Sequence, residues 1–203
     1  MKLFYSPGAC SLSPHIALLE AGVKADLVKV DLRTHKLDGG DDYYGVHVKG
    51  YVPLLELDNG HRLSEGPAIV QYIADRNPSA GLAPAAGTFE RYLLQEWLNF
   101  ITSELHKQFS PLFDSAAPTE WKDKLRARLS KRFYWLSTQL EGHDYLMGSH
   151  FTVADAYLFT VLRWSKGVGL DLASWPVLSA YVARVAARPH VHAALRAEGL
   201  VKH

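Results

Sequence analysis

The chain has 203 residues and is 48% hydrophobic, enough for one large domain or two small ones with a sizeable core. Its 22 Lys and Arg against 21 Asp and Glu leave a net charge of +1, so charge gives no argument for nucleic acid or an anionic membrane as partner. One cysteine excludes an internal disulfide framework and a cysteine-based zinc site and points to a reducing compartment. The N-terminus lacks a signal-peptide pattern and no apolar run approaches the ~18 residues of a membrane span, so the expected location is cytoplasmic. The ten histidines are scattered without ligand spacing, and no metal is expected.

In chain order, Lys2 to Tyr5 is a short strand, Ser6-Pro7-Gly8 a turn, and a helix follows from about Ser11 to Ala21 with Pro14 in its first turn and Gly22 as its stop. Cys10, the only cysteine, stands at that helix start. Backbone N–H groups in a first helical turn have no intrahelical partner and carry partial positive charge, which favours a thiolate. Such a site can bring a cysteine pKa from about 8.5 down to roughly 3.5–7.5. Those N–H groups would equally suit an anionic ligand, whereas an unspecialised cysteine there would be a small buried residue.

Ala25 to Leu32 reads as a second strand, giving a β-α-β unit whose strands should be parallel. A basic, glycine-containing loop from Arg33 to Gly50 holds one or two helical turns around Asp42-Tyr43-Tyr44. Val52 to Leu63 is a hairpin turning at Asn59-Gly60. Ser64-Glu65-Gly66-Pro67 then opens an amphipathic helix reaching Asn77, a second helix N-terminus suited to an anion, unless Ser64 simply caps it.

A linker rich in small residues and proline ends this half, and everything beyond it is helical in pattern. The expected organisation is residues 1–78 as an α/β domain, 79–87 as linker and 88–203 as an all-helical domain. Helices are expected at Thr88–Ser110, Pro118–Glu141, Thr152–Trp164 and Trp175–Ala187, with a short one from His190 to Glu198. In the first of these, Gln95, Asn99, Ser103, His106 and Ser110 recur at steps of three and four and form one polar stripe, as on a helix lining a groove or simply facing solvent. Thr152 and Asp155 form a capping box with Phe151 as staple, a structural device.

The β-α-β-α-β-β-α order, the cysteine at the first helix start, the Val-Pro before the hairpin, the Ser-Glu-Gly before the last helix and the helical second half together resemble the glutathione S-transferases. Phe4 to Ser13, Asn99 with Ser103 to Lys107, Phe151 to Phe159 and Ala197-Glu198-Gly199-Leu200 resemble the bacterial beta class, over essentially the whole chain. The resemblance implies a thioredoxin-like N-terminal domain (α/β) with an all-α helical bundle domain after it, and glutathione as co-substrate. Cys10 would lie beside the glutathione sulfur, Pro53 would be a cis-proline presenting the backbone of Val52, and Glu65 and Gly66 would hold the γ-glutamyl end. Asn99 and Ser103 would reach across a homodimer interface, and His106 and Lys107 would sit over the thiol. Tyr5 and Ser11 are second candidates for stabilising a thiolate. The lysine that meets the glycyl carboxylate in many relatives aligns with His35, next to Lys36, and Tyr51 replaces a common glutamine.

Because the second position of a C-x-x-C pair is Ser13, Cys10 has no internal resolving partner, and any redox cycle needs an external thiol. The leading expectation is an enzyme that delivers the glutathione thiolate to an electrophilic, largely hydrophobic small molecule in a groove between domains, for detoxification or aromatic catabolism. The alternatives are a monothiol, glutaredoxin-like disulfide reductase or reductive dehalogenase, and a non-enzymatic carrier of hydrophobic ligands using Phe109, Phe113 and Trp164.

Overall fold

The computed structural model describes residues 1–201. Contacts divide the chain into two units, one comprising Met1–Ala83 with the segment from Arg188 on, the other Pro84–Ala187. The first is built on five strands, β1 (Lys2–Tyr5), β2 (Asp26–Asp31), β3 (Lys36–Leu37), β4 (Leu54–Glu56) and β5 (Arg62–Ser64), in the order β3-β2-β1-β4-β5. β1 and β2 are parallel, as their helical crossover requires, and the other neighbours are antiparallel. Side chains alternate across the sheet: Phe4 and Leu54 join Val30, Tyr43 and Val52 in one cluster, while Leu3 and Leu55 are buried on the opposite face.

Helix α1 (Leu12–Glu20) ends where Gly22 was expected to stop it. With φ at +68°, Gly22 donates to the Leu19 carbonyl and Val23 to the Leu18 carbonyl, the paired bonds of a Schellman motif. The β4–β5 hairpin does turn at Asn59-Gly60, but through a three-residue loop: the Leu57 N–H reaches the His61 carbonyl at 2.8 Å and only Gly60 is left-handed. Helix α2 (Gly66–Arg76) follows β5 directly; Ser64 is the last residue of that strand, so the helix boundary residue is Glu65 and not Ser64.

The second unit contains α3 (Phe89–Phe100), α4 (Lys107–Phe113), α5 (Thr119–Leu140), α6 (Val153–Leu162) and α7 (Pro176–Ala186). The single helix expected from Thr88 to Ser110 is interrupted by a π-helical stretch, Ile101–His106, and runs three residues further, through Pro111. Pro111 has no N–H for the carbonyl of Lys107 and its ring crowds that carbonyl. α6 is buried along all ten residues and forms the centre of the unit. As the capping box predicts, Asp155 accepts from the Thr152 N–H at 2.8 Å; in addition the Thr152 hydroxyl donates to the same carboxylate at 3.0 Å. The same carboxylate also accepts from the Leu146 N–H and the Tyr181 hydroxyl, both at 2.9 Å, which the local sequence did not announce.

Helix α8 (Pro189–Ala197) returns to the first unit and packs on α1. Composition places everything beyond residue 87 in the helical half, whereas the contacts group this last segment with the α/β half. Val191, Ala194 and Leu195 are buried, and Arg188 makes a two-point bond to the Glu20 carboxylate, at 2.7 and 2.8 Å.

Candidate functional site

In the first unit, sheet topology alone gathers most of the residues singled out from the sequence. Because β1 and β2 are parallel while β3 and β4 run against them, the end of β1, the start of β4 and the end of β5 lie at one edge of the sheet. Cys10 therefore shares that edge with Val52-Pro53, with Glu65-Gly66 and, beyond the end of β2, with His35-Lys36. Four strand spacings separate β3 from β5, a span of roughly 19 Å at about 4.8 Å per spacing.

Cys10 lies in the turn before α1, and its Sγ donates to the Val52 carbonyl at 3.2 Å. That bond exists only while the sulfur keeps its proton. The Val52–Pro53 peptide is cis. Val52 is anchored in the Phe4–Tyr43–Leu54 cluster, and the Tyr43 hydroxyl donates to the Tyr51 carbonyl at 2.8 Å, so the backbone entering Pro53 is held from the core side. Burial pushes the Tyr43 phenol far up, keeping it a donor. A Cβ placed on Gly66 would lie 3.9 Å from the Pro53 ring, which shows how closely the start of α2 approaches the cis-proline.

Both helices at this edge lack a side-chain cap. Ser11, the boundary residue of α1, is fully buried; its hydroxyl accepts from the Ser6 N–H at 3.1 Å and donates to the Ser6 carbonyl at 3.2 Å. The hydroxyl proposed from sequence as a thiolate donor thus spends its one proton inside the loop. Glu65 precedes α2 with φ at +70°, a left-handed conformation that a residue with a Cβ adopts only when its surroundings impose it. Its carboxylate is exposed and pairs with Lys49 at 3.0 Å. Lys49 escaped the sequence reading, lying in a loop without regular structure.

The remaining candidates of this unit separate. His35, also left-handed at φ +54°, stacks on Tyr44 with centroids 4.6 Å apart and lies against Gly50, where an added Cβ would come within 2.9 Å of its Nδ1. That Nδ1 is buried and has no hydrogen-bond partner among the described residues. Lys36 is exposed on the edge strand β3 and Tyr51 is 64% exposed. Tyr5 does not look out at this edge: its ring packs toward His15, and burial, reinforced by the charges of Glu198 and Asp38, pushes its phenol up, so it holds its proton.

In the second unit, the π-helical stretch contains Ser103 and ends at His106. π-turns inside α-helices frequently mark functional positions. His106 is half-buried, its Nδ1 lies 2.6 Å from the Tyr157 hydroxyl, and its ring meets Trp164 edge-on at 4.9 Å. Tyr157 is missed by pattern reading because it looks like one more core position of α6. Asn99, Ser103 and Lys107 are exposed, and the Ser103 hydroxyl donates back to the Asn99 carbonyl at 3.0 Å. Phe109, Phe113 and Trp164 form one aromatic cluster with centroids 5.7 to 6.3 Å apart, from which Phe113 is 55% exposed. Among the described residues no group of three His, Cys, Asp or Glu could hold a metal ion, and no helix is long and apolar enough to cross a membrane.

Comparison with known proteins bears on both units. A model of the glutathione S-transferase N-terminal domain matches residues 8–76, and one of the C-terminal domain matches residues 100–189. A glutathione S-transferase of Escherichia coli O157:H7, GstA, is 49% identical over 98% of this chain and the whole of its own. The chain belongs to the glutathione S-transferase family. Among solved structures, a bacterial beta-class glutathione S-transferase of Sphingomonas chungbukensis is 51% identical with a TM-score of 0.95, covering 99% of this chain and 100% of that one. A sphingomonad glutathione S-transferase solved in complex with glutathione is 49% identical over the same shares, also with a TM-score of 0.95. The expected architecture, a thioredoxin-like domain and an all-helical one, is the architecture of this family of transferases, and the beta-class resemblance holds.

Proposed function

We propose that this glutathione transferase binds glutathione along the sheet edge occupied by Cys10, Val52-Pro53 and Glu65-Gly66 and delivers its thiolate to electrophilic, largely hydrophobic small molecules. The observation that carries the proposal is the Cys10 thiol 3.2 Å from the Val52 carbonyl, beside the cis-proline and between two helix starts without side-chain caps. The start of α2 suits an anion, the γ-glutamyl carboxylate, with Glu65 taking the amino group; at α1 the Leu12 and Ser13 N–H groups already donate to the Ala9 and Cys10 carbonyls, so that helix would favour a nearby sulfur anion through its dipole. Val52 would meet the peptide of glutathione through its backbone. At the glycyl end His35 is the better candidate of the two neighbours, since it packs against the segment leading to Val52, while Lys36 and Tyr51 complete the set. His106 and Lys107 would act on the thiol, and the cluster of Phe109, Phe113 and Trp164 would hold the electrophile. The acceleration would come from a larger thiolate fraction and from proximity.

The Cys10 contact also supports covalent chemistry on the same scaffold. The Cys10 thiolate would attack the glutathione sulfur of a disulfide between glutathione and another thiol, forming a Cys10–glutathione bond and releasing that other thiolate as the reduced product. A second glutathione would then attack the mixed disulfide, regenerating Cys10 and leaving oxidised glutathione. Mass spectrometry of the intact protein incubated with oxidised glutathione tests this. A glutathione-sized adduct at Cys10 is expected, and its absence would remove the covalent route. For conjugation, Cys10→Ala should retain turnover of an aryl halide while losing disulfide reduction; complete loss of conjugation would show that the nucleophile is not glutathione's own sulfur. Tight glutathione binding without turnover of aryl halides, epoxides or haloacids would favour the carrier.

A homodimer is part of the proposal. Its support is the set of large side chains left exposed on α3 and α5: Phe89 at 71%, Tyr92 at 60% and Tyr134 at 70%, with Trp97, Phe100 and Trp135 in mutual contact. Asn99 and Ser103 would reach the partner's glutathione. Sedimentation at micromolar concentration should give a dimer, and a monomer would refute the part given to those two residues.

A further inference from the structure

The Ala197-Glu198-Gly199-Leu200 motif lies at the end of α8. There α8 closes in a second Schellman motif: Gly199, left-handed at φ +70°, donates to the Arg196 carbonyl, and Leu200 to the Leu195 carbonyl. This places Glu198 at the helix boundary and folds Leu200 back over the loop that carries Cys10, where a Cβ on Gly8 would lie 3.3 Å from its Cδ2. Gly8 is itself left-handed at φ +72°, so a larger residue there meets both strain and Leu200.

Glu198 is in an expensive position. Its side chain has no solvent exposure, and it sits at the C-terminal, negative end of α8, where a carboxylate is disfavoured. Two contacts offset that cost. One oxygen accepts from the Gly8 N–H at 2.8 Å, and the other meets His15 Nδ1 at 2.9 Å. Both partners flank the Cys10 turn, Gly8 two residues before it and His15 five residues after it in the first turns of α1. Tyr5, at the end of β1, completes the surroundings. The carboxylate thus ties the entry of the catalytic loop to the helix that leaves it.

We infer that Glu198 is a positioning residue for Cys10, holding the Ser6–Cys10 loop in the conformation that presents the sulfur to the start of α1. This rests on the assignment of that loop to the glutathione site. The alternative is that Glu198 only docks α8 on α1, as the Arg188–Glu20 pair does without touching the loop.

The test compares Glu198→Ala, Glu198→Gln and Arg188→Leu in the full chain by alkylation of Cys10 with iodoacetamide, by turnover of glutathione with an aryl halide, and by thermal unfolding. Cys10 is the only thiol, so alkylation reports one site and needs no glutathione. Removing a nearby negative charge favours the thiolate and speeds alkylation, an effect Glu198→Gln shows by itself. Losing the hold on Gly8 acts the opposite way. Glu198→Ala is expected to slow alkylation about tenfold and to raise the KM for glutathione by a similar factor, as for loss of a hydrogen bond to a charged group. Arg188→Leu is expected to lower thermal stability yet keep alkylation within about twofold, because its bond is as strong but does not reach the loop. Should Glu198→Ala not fold, Glu198→Asp keeps the charge and draws it back by one methylene, and about a threefold slowing is expected. Unchanged or faster alkylation in Glu198→Ala or Glu198→Asp overturns the inference, as does equal slowing in Arg188→Leu. Slower alkylation with normal glutathione kinetics upholds it and counts instead against the glutathione site.

Discussion

Replacing Asp155 should destabilise the helical unit well beyond the loss of an ordinary helix cap. The carboxylate is entirely buried and accepts four hydrogen bonds, from the N–H groups of Leu146 and Thr152 and the hydroxyls of Thr152 and Tyr181, all between 2.8 and 3.0 Å. Burial pushes the carboxyl up while the four donors pull it back. An Asp155→Asn side chain keeps one oxygen. Whichever way its amide turns, a hydroxyl on the other side can rotate to accept, but one backbone N–H is left facing a donor, at a cost of about 1–3 kcal/mol. Asp155→Ala leaves both backbone N–H groups unsatisfied and the Tyr181 hydroxyl with only the carbonyl of residue 155, at 3.4 Å, and recovers the desolvation of the carboxylate, for a net cost of about 3–5 kcal/mol. For a chain of this size that is a fall in Tm on the order of 10 °C. Thr152→Ala removes only one of the four donors and should cost about 1 kcal/mol. Thermal and urea unfolding of the three variants checks the order. Thr152→Ala as damaging as Asp155→Ala, or Asp155→Ala within about 1 kcal/mol of the native protein, would refute an assignment of the extra stability to the two distant donors.

Glu20 is half-buried, and burial by itself raises a carboxyl pKa, but the hydrogen bonds and charges of Arg188 and His190 outweigh it and hold the group below its ordinary value. A lowered folded pKa stabilises above the unfolded value, near pH 4, and that contribution is lost as pH falls through the folded value. Unfolding followed from pH 7 to pH 3 should therefore show the native protein ahead of Glu20→Gln near neutrality and the two converging in acid; a constant gap would contradict the pairing. Tyr157→Phe removes the hydroxyl that holds His106 Nδ1 and should lower kcat for conjugation about fivefold, the worth of one neutral hydrogen bond, with little change in the KM for glutathione. Wild-type kcat in that variant would show that the ring orientation of His106 does not matter to turnover.

How much of this was legible in the sequence depended on the range of the interaction. Gly22 marked the end of α1, Asn59-Gly60 marked the hairpin and Thr152 with Asp155 marked the start of α6, because each acts through bonds to neighbours a few residues away. The π-helical stretch left no such trace. Leu94, Leu98, Ile101, Leu105 and Phe109 continue the helical spacing through it and are all buried, so the apolar pattern does not register the wider turn. The candidate site follows the same rule. Cys10 and Pro53 were readable from turn chemistry and family pattern, whereas the left-handed backbone of Glu65 and its pairing with Lys49 are imposed by the surrounding fold. Tyr157, 51 residues from His106, and Glu198, 183 residues from His15, carry no sign in sequence of the partner each meets.

The return of α8 explains why a boundary drawn from composition and one drawn from contacts differ. The composition changes at residues 79–87, where strands give way to helices, yet the first unit is completed by a segment encoded after the whole of Pro84–Ala187. Closing so long an excursion is not much harder than closing a short loop, since each doubling of loop length adds only about 0.6 kcal/mol. Set against it are the apolar face of α8 and three buried or half-buried polar links, Glu20 with Arg188, His15 with Glu198 and Gly8 with Glu198. A hydrogen bond to a charged group contributes about 1.5–3 kcal/mol, so one such link already exceeds the entropy of two further doublings. The loop bearing Cys10 is thereby braced from both ends of the chain, and a division at the linker would separate α1 from the partners of Gly8, His15 and Glu20.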